Sequence, residues 1–192
     1  MKAPFLCEQE VRDILAANGV DQSKVAVVGI RGHLGSKGAN TRRIYDDAMY
    51  IVSPRGVLGF RANTDPNGWR NGIATLQPGI HLYGTGRHKG RLAFRQCEHV
   101  TVKRDGQSGR MTGMYAINIH DGGANSTSSL GCQTLAPEQW GQFRPLVYSL
   151  LDEFKNPFRN NDWGQSVRCF PYVLIEETDR AAERLVVSKR YL

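Results

Sequence analysis

The chain has 192 residues, 40% of them hydrophobic, and carries a formal net charge of +7 at pH 7. This size and composition predict one folded domain covering residues 1–192 and exclude a disordered chain, which would be poorer in apolar residues. No stretch has the length and apolar character of a signal peptide or a membrane-spanning helix. We therefore expect a monomer that is made in the cytoplasm and has no integral membrane segment.

The basic charge limits the binding partners to be expected, and the cysteines limit the metal and redox chemistry. Positive charge favours polyanionic partners, but there is no dense basic run or aromatic RNA-binding signature, so we do not expect nucleic acid. Four cysteines occur without a Cys-x-x-Cys pair, which argues against the usual structural zinc and redox spacings. We expect four reduced thiols, three of them buried as small hydrophobic side chains, and no cofactor.

The first part of the chain predicts one helix followed by strands. Residues 8–18 carry apolar side chains at helical spacing and are followed by Gly19, which favours a helix end. The continuous apolar run at 25–30 predicts a buried strand. Further strands are predicted, in chain order, at 47–53, 57–63, 79–84, 91–96, 99–104 and 114–120.

The last third adds a loop, a helix and two strands. The segment 121–131 is small, polar and rich in glycine, which predicts a loop. Pro137 is well placed to begin a helix, and the apolar spacing continues it to about residue 155. Strands at 169–177 and 184–191 close the chain. The whole pattern predicts a β-rich α+β domain.

The segment INIHDGGANSTSSLGCQTL, residues 117–135, combines residues suited to nucleophilic catalysis. His120 ends an apolar strand, and Cys132 follows twelve positions later in a Ser-Leu-Gly-Cys turn. A thiol is a strong nucleophile only as a thiolate, and a nearby imidazole can take its proton. At Gly131 there is no side chain, so that the amides of Gly131 and Cys132 could face an oxyanion. We predict that Cys132 is an activated nucleophile and His120 its base.

Residues 113–135 resemble the catalytic domain of the L,D-transpeptidases, whose motif is a histidine on a strand, a variable loop and then Ser-His-Gly-Cys. His120 matches the catalytic histidine of that family. Ser129, Gly131 and Cys132 match the serine, glycine and cysteine of its motif. The resemblance implies an L,D-transpeptidase-like β-sandwich. It also implies peptidoglycan stem peptides as substrates, attacked at the carbonyl before a terminal D-amino acid, with a thioester that water or an amine resolves.

The sequence departs from the family within this motif. Leu130 replaces the motif histidine, and Gln133 and Thr134 stand where relatives usually have an apolar residue followed by Arg or Asn. Since that Arg or Asn helps to hold substrate, we assign Gln133 and Thr134 to substrate binding. The loop from His120 to Cys132 is also shorter than usual. With no export signal visible, these departures favour a lytic hydrolase of a phage or a secretion system, acting at the cell wall or in the periplasm after release or delivery.

Other residues are predicted to support the site. Asp121 directly follows the base and could orient it if the strand bends there, since neighbouring strand residues point to opposite faces. Ser129 is the stronger candidate for this role because the motif carries it. Tyr83, His81 and Arg87 are predicted to line the substrate cleft from a glycine-containing segment just past a strand.

Three alternative functions stay open. The chain could be an L,D-transpeptidase that makes or exchanges cross-links. It could be a zinc-dependent murein peptidase, although no HExxH or other tight ligand spacing supports this, and Cys132 would then be incidental. The zinc ligands would come from His81, His88, His99, His120 and Asp121. It could also be a non-catalytic wall-binding or virion protein that stacks sugars on aromatic side chains.

Overall fold

The computed structural model describes residues 2–180. Two complete helices lie in this part, α1 (Glu8–Ala17) and α2 (Pro137–Glu153), and a 3₁₀ turn spans Ser36–Gly38. Both predicted helices are therefore confirmed. Among these residues no helix combines the length and hydropathy that crossing a membrane requires.

Twelve strands make up most of the regular structure of the described residues. They are β1 (Ala26–Arg31), β2 (Asp47–Ser53), β3 (Gly56–Asn63), β4 (Ala74–Leu76), β5 (Gly79–His88), β6 (Arg91–Gln96), β7 (Val100–Arg104), β8 (Arg110–Gly113), β9 (Ile119–Asp121), β10 (Gln133–Leu135), β11 (Phe158–Asn160) and β12 (Ser166–Glu176). The predicted β-rich α+β class is confirmed. The predicted strand at 184–191 lies outside the described residues.

Nine of these strands form one sheet, and all of them except β11 join in a closed ring. The order is β1-β2-β3-β10-β9-β6-β5-β12-β11, and β1 also pairs with β12. The β1–β12 and β9–β10 pairs are parallel, whereas the other neighbours run antiparallel. The remaining three strands form a small separate sheet in the order β4-β7-β8.

The closed sheet buries apolar side chains on both of its faces. Successive strand residues point to opposite faces, and in β1 Val27 belongs to one apolar cluster and Val28 to another. Helix α2 packs Phe143 into the first cluster, and helix α1 packs Leu15 into the second. Because both faces are covered, every residue of β1 is buried, which explains its continuous apolar sequence.

Strand β5 is longer than predicted, and the extension carries the chain to His88. The sequence predicted an end at residue 84, because Gly84 and Gly86 suggested a loop beyond it. Both glycines instead lie within the strand, where they permit close packing. A Cβ at Gly84 would lie 2.8 Å from the Sγ of Cys97, and a Cβ at Gly86 would lie 2.8 Å from the Arg95 side chain.

The prediction of a strand over 114–120 is wrong for most of its length, since β9 covers only Ile119–Asp121. The backbone N–H groups of Tyr115 and Ile117 donate to the side-chain Oε1 of Gln96, each at 3.2 Å. A side chain has thus replaced the neighbouring strand as hydrogen-bond acceptor, and the segment before β9 is irregular.

Candidate active site

The site forms where two short parallel strands lie side by side. His120 is the middle residue of β9, and Cys132 immediately precedes β10. The register of this pair sets Ile119 opposite Gln133 and His120 opposite Thr134. This pairing brings a ring nitrogen of His120 to within 4.8 Å of the Sγ of Cys132. The two predicted catalytic side chains therefore do lie together.

The backbone holds the His120 ring in one orientation. Its Nδ1 lies 2.6 Å from the carbonyl oxygen of Asp121, so that Nδ1 donates and Nε2 is left as the free, basic nitrogen. The nearer carboxylate oxygen of Asp121 is 4.0 Å from Nδ1. That carboxylate is paired with Arg91 at 2.6 Å. Asp121 thus orients the ring through its main chain, a role that sequence reasoning had assigned to a side chain.

Cys132 is buried, with only 8% of its surface exposed. The backbone N–H of Asn118 donates to its Sγ at 3.4 Å, and the Sγ donates to the carbonyl of Ala116 at 3.7 Å. Burial raises the pKa of Cys132, and the Asn118 contact only partly offsets this effect. A thiol with a raised pKa stays protonated near neutral pH, so that Cys132 depends on a neighbouring base to become a thiolate.

His120 is also neutral at rest near neutral pH. Burial lowers its pKa below the ordinary value of 6.5, and the positive charges of Lys89 and Arg91 act in the same direction. The carbonyl and the carboxylate of Asp121 act in the opposite direction. A neutral imidazole is the protonation state that a general base needs.

A second histidine, His88, completes a compact group with His120 and Cys132. Its ring stacks on that of His120, with centroids 4.6 Å apart and planes 12° apart. Burial, and next the charge of His120, lower the pKa of His88 to about 4. Its Nδ1 contacts the side-chain amide of Asn118 at 3.0 Å. Sequence reasoning considered His88 only as a zinc ligand, because the extension of β5 that delivers it was not predicted.

Ser129 and Gly131 shape the turn before the cysteine. The Oγ of Ser129 donates to the carbonyl of Cys132 at 2.6 Å and accepts from the N–H of Gly131 at 3.0 Å. Ser129 is therefore a brace of the turn and does not orient His120. Because the Gly131 amide is already bonded, the prediction that it faces an oxyanion is wrong.

A cleft of about 300 Å³ opens beside His120. Its wall combines imidazole, basic and small side chains, namely His88, Lys89, Arg91, His120, Asp121, Gly122, Gly123 and Ser128. Cys132 is not one of these lining residues. The two basic residues favour an anionic ligand next to His120.

The three residues predicted to line the cleft from β5 lie elsewhere. Tyr83 is fully buried in the core, against Phe170 and Tyr172. His81 is also buried, with its Nε2 3.0 Å from the carbonyl of Gln77. Arg87 is exposed but precedes His88 on the strand and therefore points to the opposite face. These predictions are wrong because the segment is a strand rather than a loop.

Gln133 and Thr134 are fully buried, contrary to their predicted role in substrate binding. Gln133 donates to the carbonyl of Gly131 and accepts from the hydroxyl of Tyr172. The Asn63 amide reaches the Thr134 hydroxyl at 3.5 Å. Both side chains therefore stabilise the strand that follows the cysteine.

The other three cysteines are free thiols in different surroundings. Cys169 is buried, and its Sγ lies 3.4 Å from that of the partly exposed Cys97. Cys7, which precedes helix α1, is exposed, so that the prediction of three buried structural cysteines is wrong. Cys7 must be removed before any thiol label can report on Cys132.

Comparisons with known proteins identify no relative. No protein-family model matches the chain, and neither the curated proteins nor the solved structures yielded a match. The resemblance to L,D-transpeptidases therefore depends on residues 113–135 alone, and the chemistry is inferred from the geometry of the site.

We predict that Gly131→Ala destabilises the turn that carries Cys132. Gly131 has φ +126°, and a Cβ there would lie 2.6 Å from the carbonyl oxygen of Ala74. The free energy of unfolding in urea should fall by about 1–3 kcal/mol. The control is Gly141→Ala in α2, where a Cβ would meet nothing within 4 Å and where about 1 kcal/mol should be gained. Equal stability of Gly131→Ala and the wild type would contradict the constraint on this turn.

Proposed function

We propose that this protein is a cysteine-dependent peptidoglycan peptidase that cleaves stem peptides through a thioester. The observation that carries the proposal is the position of His120, whose ring nitrogen lies within 4.8 Å of the Cys132 Sγ. Nδ1 of this ring is held by a backbone carbonyl, which leaves Nε2 as the basic nitrogen. The same imidazole borders a cleft, so that the proposed base adjoins both the cysteine and the substrate space.

The neutral thiol and neutral imidazole favour proton transfer during the attack. Nε2 of His120 accepts the thiol proton as the Sγ of Cys132 bonds to the substrate carbonyl carbon. The imidazolium then donates that proton to the leaving amine as the C–N bond breaks, which leaves a thioester. Water attacks the thioester after losing a proton to His120, and the thiol regains a proton as the acid product departs. The imidazole therefore ends the cycle unchanged.

The charge of the cleft supports an anionic substrate. Lys89 and Arg91 line it beside the base, and the chain as a whole carries a formal charge of +7. Stem peptides carry carboxylates and belong to an anionic wall, so that attraction should raise their local concentration. We also propose that the chain forms a single catalytic domain with the β-sandwich fold that the resemblance to L,D-transpeptidases implies.

Hydrolysis is proposed over cross-linking because the site offers little surface to an amine acceptor. An amine competes with bulk water only when it is held next to the thioester. Thr134, at the position where relatives have Arg or Asn, is buried. The loop over the cleft contributes small residues, among them Gly122 and Gly123. We also propose that the protein acts on the cell wall after a phage or a secretion system has released or delivered it.

We predict that Cys132→Ser retains the fold and loses turnover. A hydroxyl is nearly the size of a thiol but is far less acidic, so that neutral His120 activates it poorly. Turnover of purified muropeptides should fall by at least about 1,000-fold, as it does when other nucleophiles are removed. Cys7→Ser should match the wild type in turnover, and both variants should keep its thermal midpoint. Wild-type turnover in Cys132→Ser would remove this residue from the mechanism.

A second prediction concerns the pH dependence of kcat/KM. His120 acts as a base only when it is unprotonated, and its pKa is lowered. The activity should therefore persist below pH 6.5 and fall only when the pH drops through the lowered pKa of His120. Asp121→Asn removes a negative charge that raises the pKa of His120 and should move this acid limb to lower pH. An acid limb above 6.5 would contradict a neutral resting pair.

The third prediction identifies the reaction products. Purified tetrapeptide and pentapeptide muropeptides are incubated with the protein and excess D-amino acid, and the products are read by mass spectrometry. We expect trimmed peptides to exceed exchanged or cross-linked ones, because water reaches the thioester more readily than a loosely held amine. If exchanged products dominate, the enzyme is a transpeptidase. The Cys132→Ser variant is the inactive control.

A further inference from the structure

Three side chains at the site have the chemistry and spacing of metal ligands. Within residues 2–180, one potential ligand atom from each of His88, His120 and Cys132 lies within 4.8 Å of the other two. In tetrahedral zinc sites the Zn–N and Zn–S distances are about 2.0 and 2.3 Å, so that ligand atoms lie about 3.5 Å apart. An approach of about 1 Å would therefore complete three of the four zinc positions. This set includes the cysteine and does not include His81.

The surroundings of His120 are those of a metal-binding imidazole. Metal-bound histidines usually donate their other ring N–H to a carbonyl or carboxylate, which sets the tautomer. His120 makes this contact through Nδ1 to the carbonyl of Asp121, which leaves Nε2 with its lone pair.

An unpaired buried oxygen beside His88 supplies an independent observation. Asn118 is fully buried, and its Oδ1 has no hydrogen-bond partner among the described residues, while its Nδ2 faces the Nδ1 of His88. Rotating this amide by 180° would let Oδ1 accept a hydrogen bond from the Nδ1–H of His88. That change would pair the buried oxygen and leave Nε2 of His88 free to bind a metal, as at His120.

We propose that His88, His120 and Cys132 bind one zinc ion and that the bound ion reversibly blocks the cysteine nucleophile. Zinc favours thiolate and imidazole ligands together. On binding, the Sγ–H bond breaks, its electron pair forms the Zn–S bond, and the proton passes to solvent. No redox change takes place. Water takes the fourth position.

Binding requires a local movement of one ring. A metal lies close to the plane of each imidazole that binds it, whereas the rings of His88 and His120 are stacked almost parallel. His88 is the ring that must turn out of the stack, since it is partly exposed while His120 is held by a backbone carbonyl. Zinc binding should therefore shift the NMR signals of the His88 ring more than those of the His81 ring.

The first measurement is direct metal binding, which does not depend on the proposed function. In a Cys7→Ser background, CoCl₂ titration should give one site with a thiolate-to-cobalt charge-transfer band, and ZnCl₂ should displace the cobalt. Removing a ligand should weaken binding by at least the roughly 10–100-fold cost of losing a supporting contact. His88→Ala and Cys132→Ser should show this loss, and His99→Ala, at an exposed histidine, should not.

Thermal melting shows whether each variant is folded and whether it binds zinc, because an ion that binds only the native state raises the melting temperature. Zinc should raise the midpoint of the Cys7→Ser protein and leave that of His88→Ala unchanged. His88→Gln gives a second test with a side chain that keeps more of the packing. Equal zinc affinity in His88→Ala, His88→Gln and the parent would overturn the site.

The second measurement concerns blocking, and this part of the inference rests on the proposed function. Zinc should suppress both muropeptide turnover and alkylation of Cys132 by iodoacetamide, and EDTA should restore both. Alkylation at an unchanged rate with zinc bound would overturn blocking. Cysteine-dependent turnover without any metal binding would overturn this inference alone. Turnover that requires zinc would overturn both blocking and the cysteine mechanism.

Discussion

The parallel pairing of β9 with β10 is the interaction on which the site depends. It puts His120 on one strand and Cys132 directly before the next. The backbone N–H of Gln133 donates to the carbonyl of Asn118 at 2.8 Å where the pairing begins. Parallel neighbours cannot be joined by a tight turn and need a connection of about a dozen residues or more. The loop 122–132 is this connection. The spacing between histidine and cysteine is therefore required by strand pairing as well as by chemistry.

That loop has few apolar side chains, so hydrogen bonds to more distant residues hold it in place. The hydroxyl of Tyr45 donates to the carbonyl of Gly123 at 2.8 Å. The Oδ1 of Asn67 accepts from both the N–H and the hydroxyl of Thr127, at 3.2 and 3.1 Å. A Cβ on Gly122 would lie 2.1 Å from the Tyr45 hydroxyl, so that the close approach itself requires glycine. The loop acts as a braced wall of the cleft.

Burial sets the protonation states of the site. It raises the pKa of Cys132 and lowers the pKa of both histidines, since the charged form of each loses water contacts. The outcome is one neutral thiol beside two neutral imidazoles. A neutral thiol and a neutral imidazole side by side can pass a proton during the proposed nucleophilic attack. The metal proposal depends instead on the geometry that brings one ligand atom from each of the three side chains to within 4.8 Å of the others.

The sequence by itself determined the elements that local pattern controls. These are both helices, most strands, and the association of a strand-borne His120 with a cysteine in a glycine turn, since periodicity and turn residues act over a few positions. The tertiary structure decided what depends on distant segments. It placed His88 on the His120 ring through the full length of β5 and buried Thr134 inside the sheet. It also gave the backbone N–H groups before β9 the side chain of Gln96 as their hydrogen-bond acceptor. Such contacts join residues far apart in the chain, and no local pattern encodes which groups will meet.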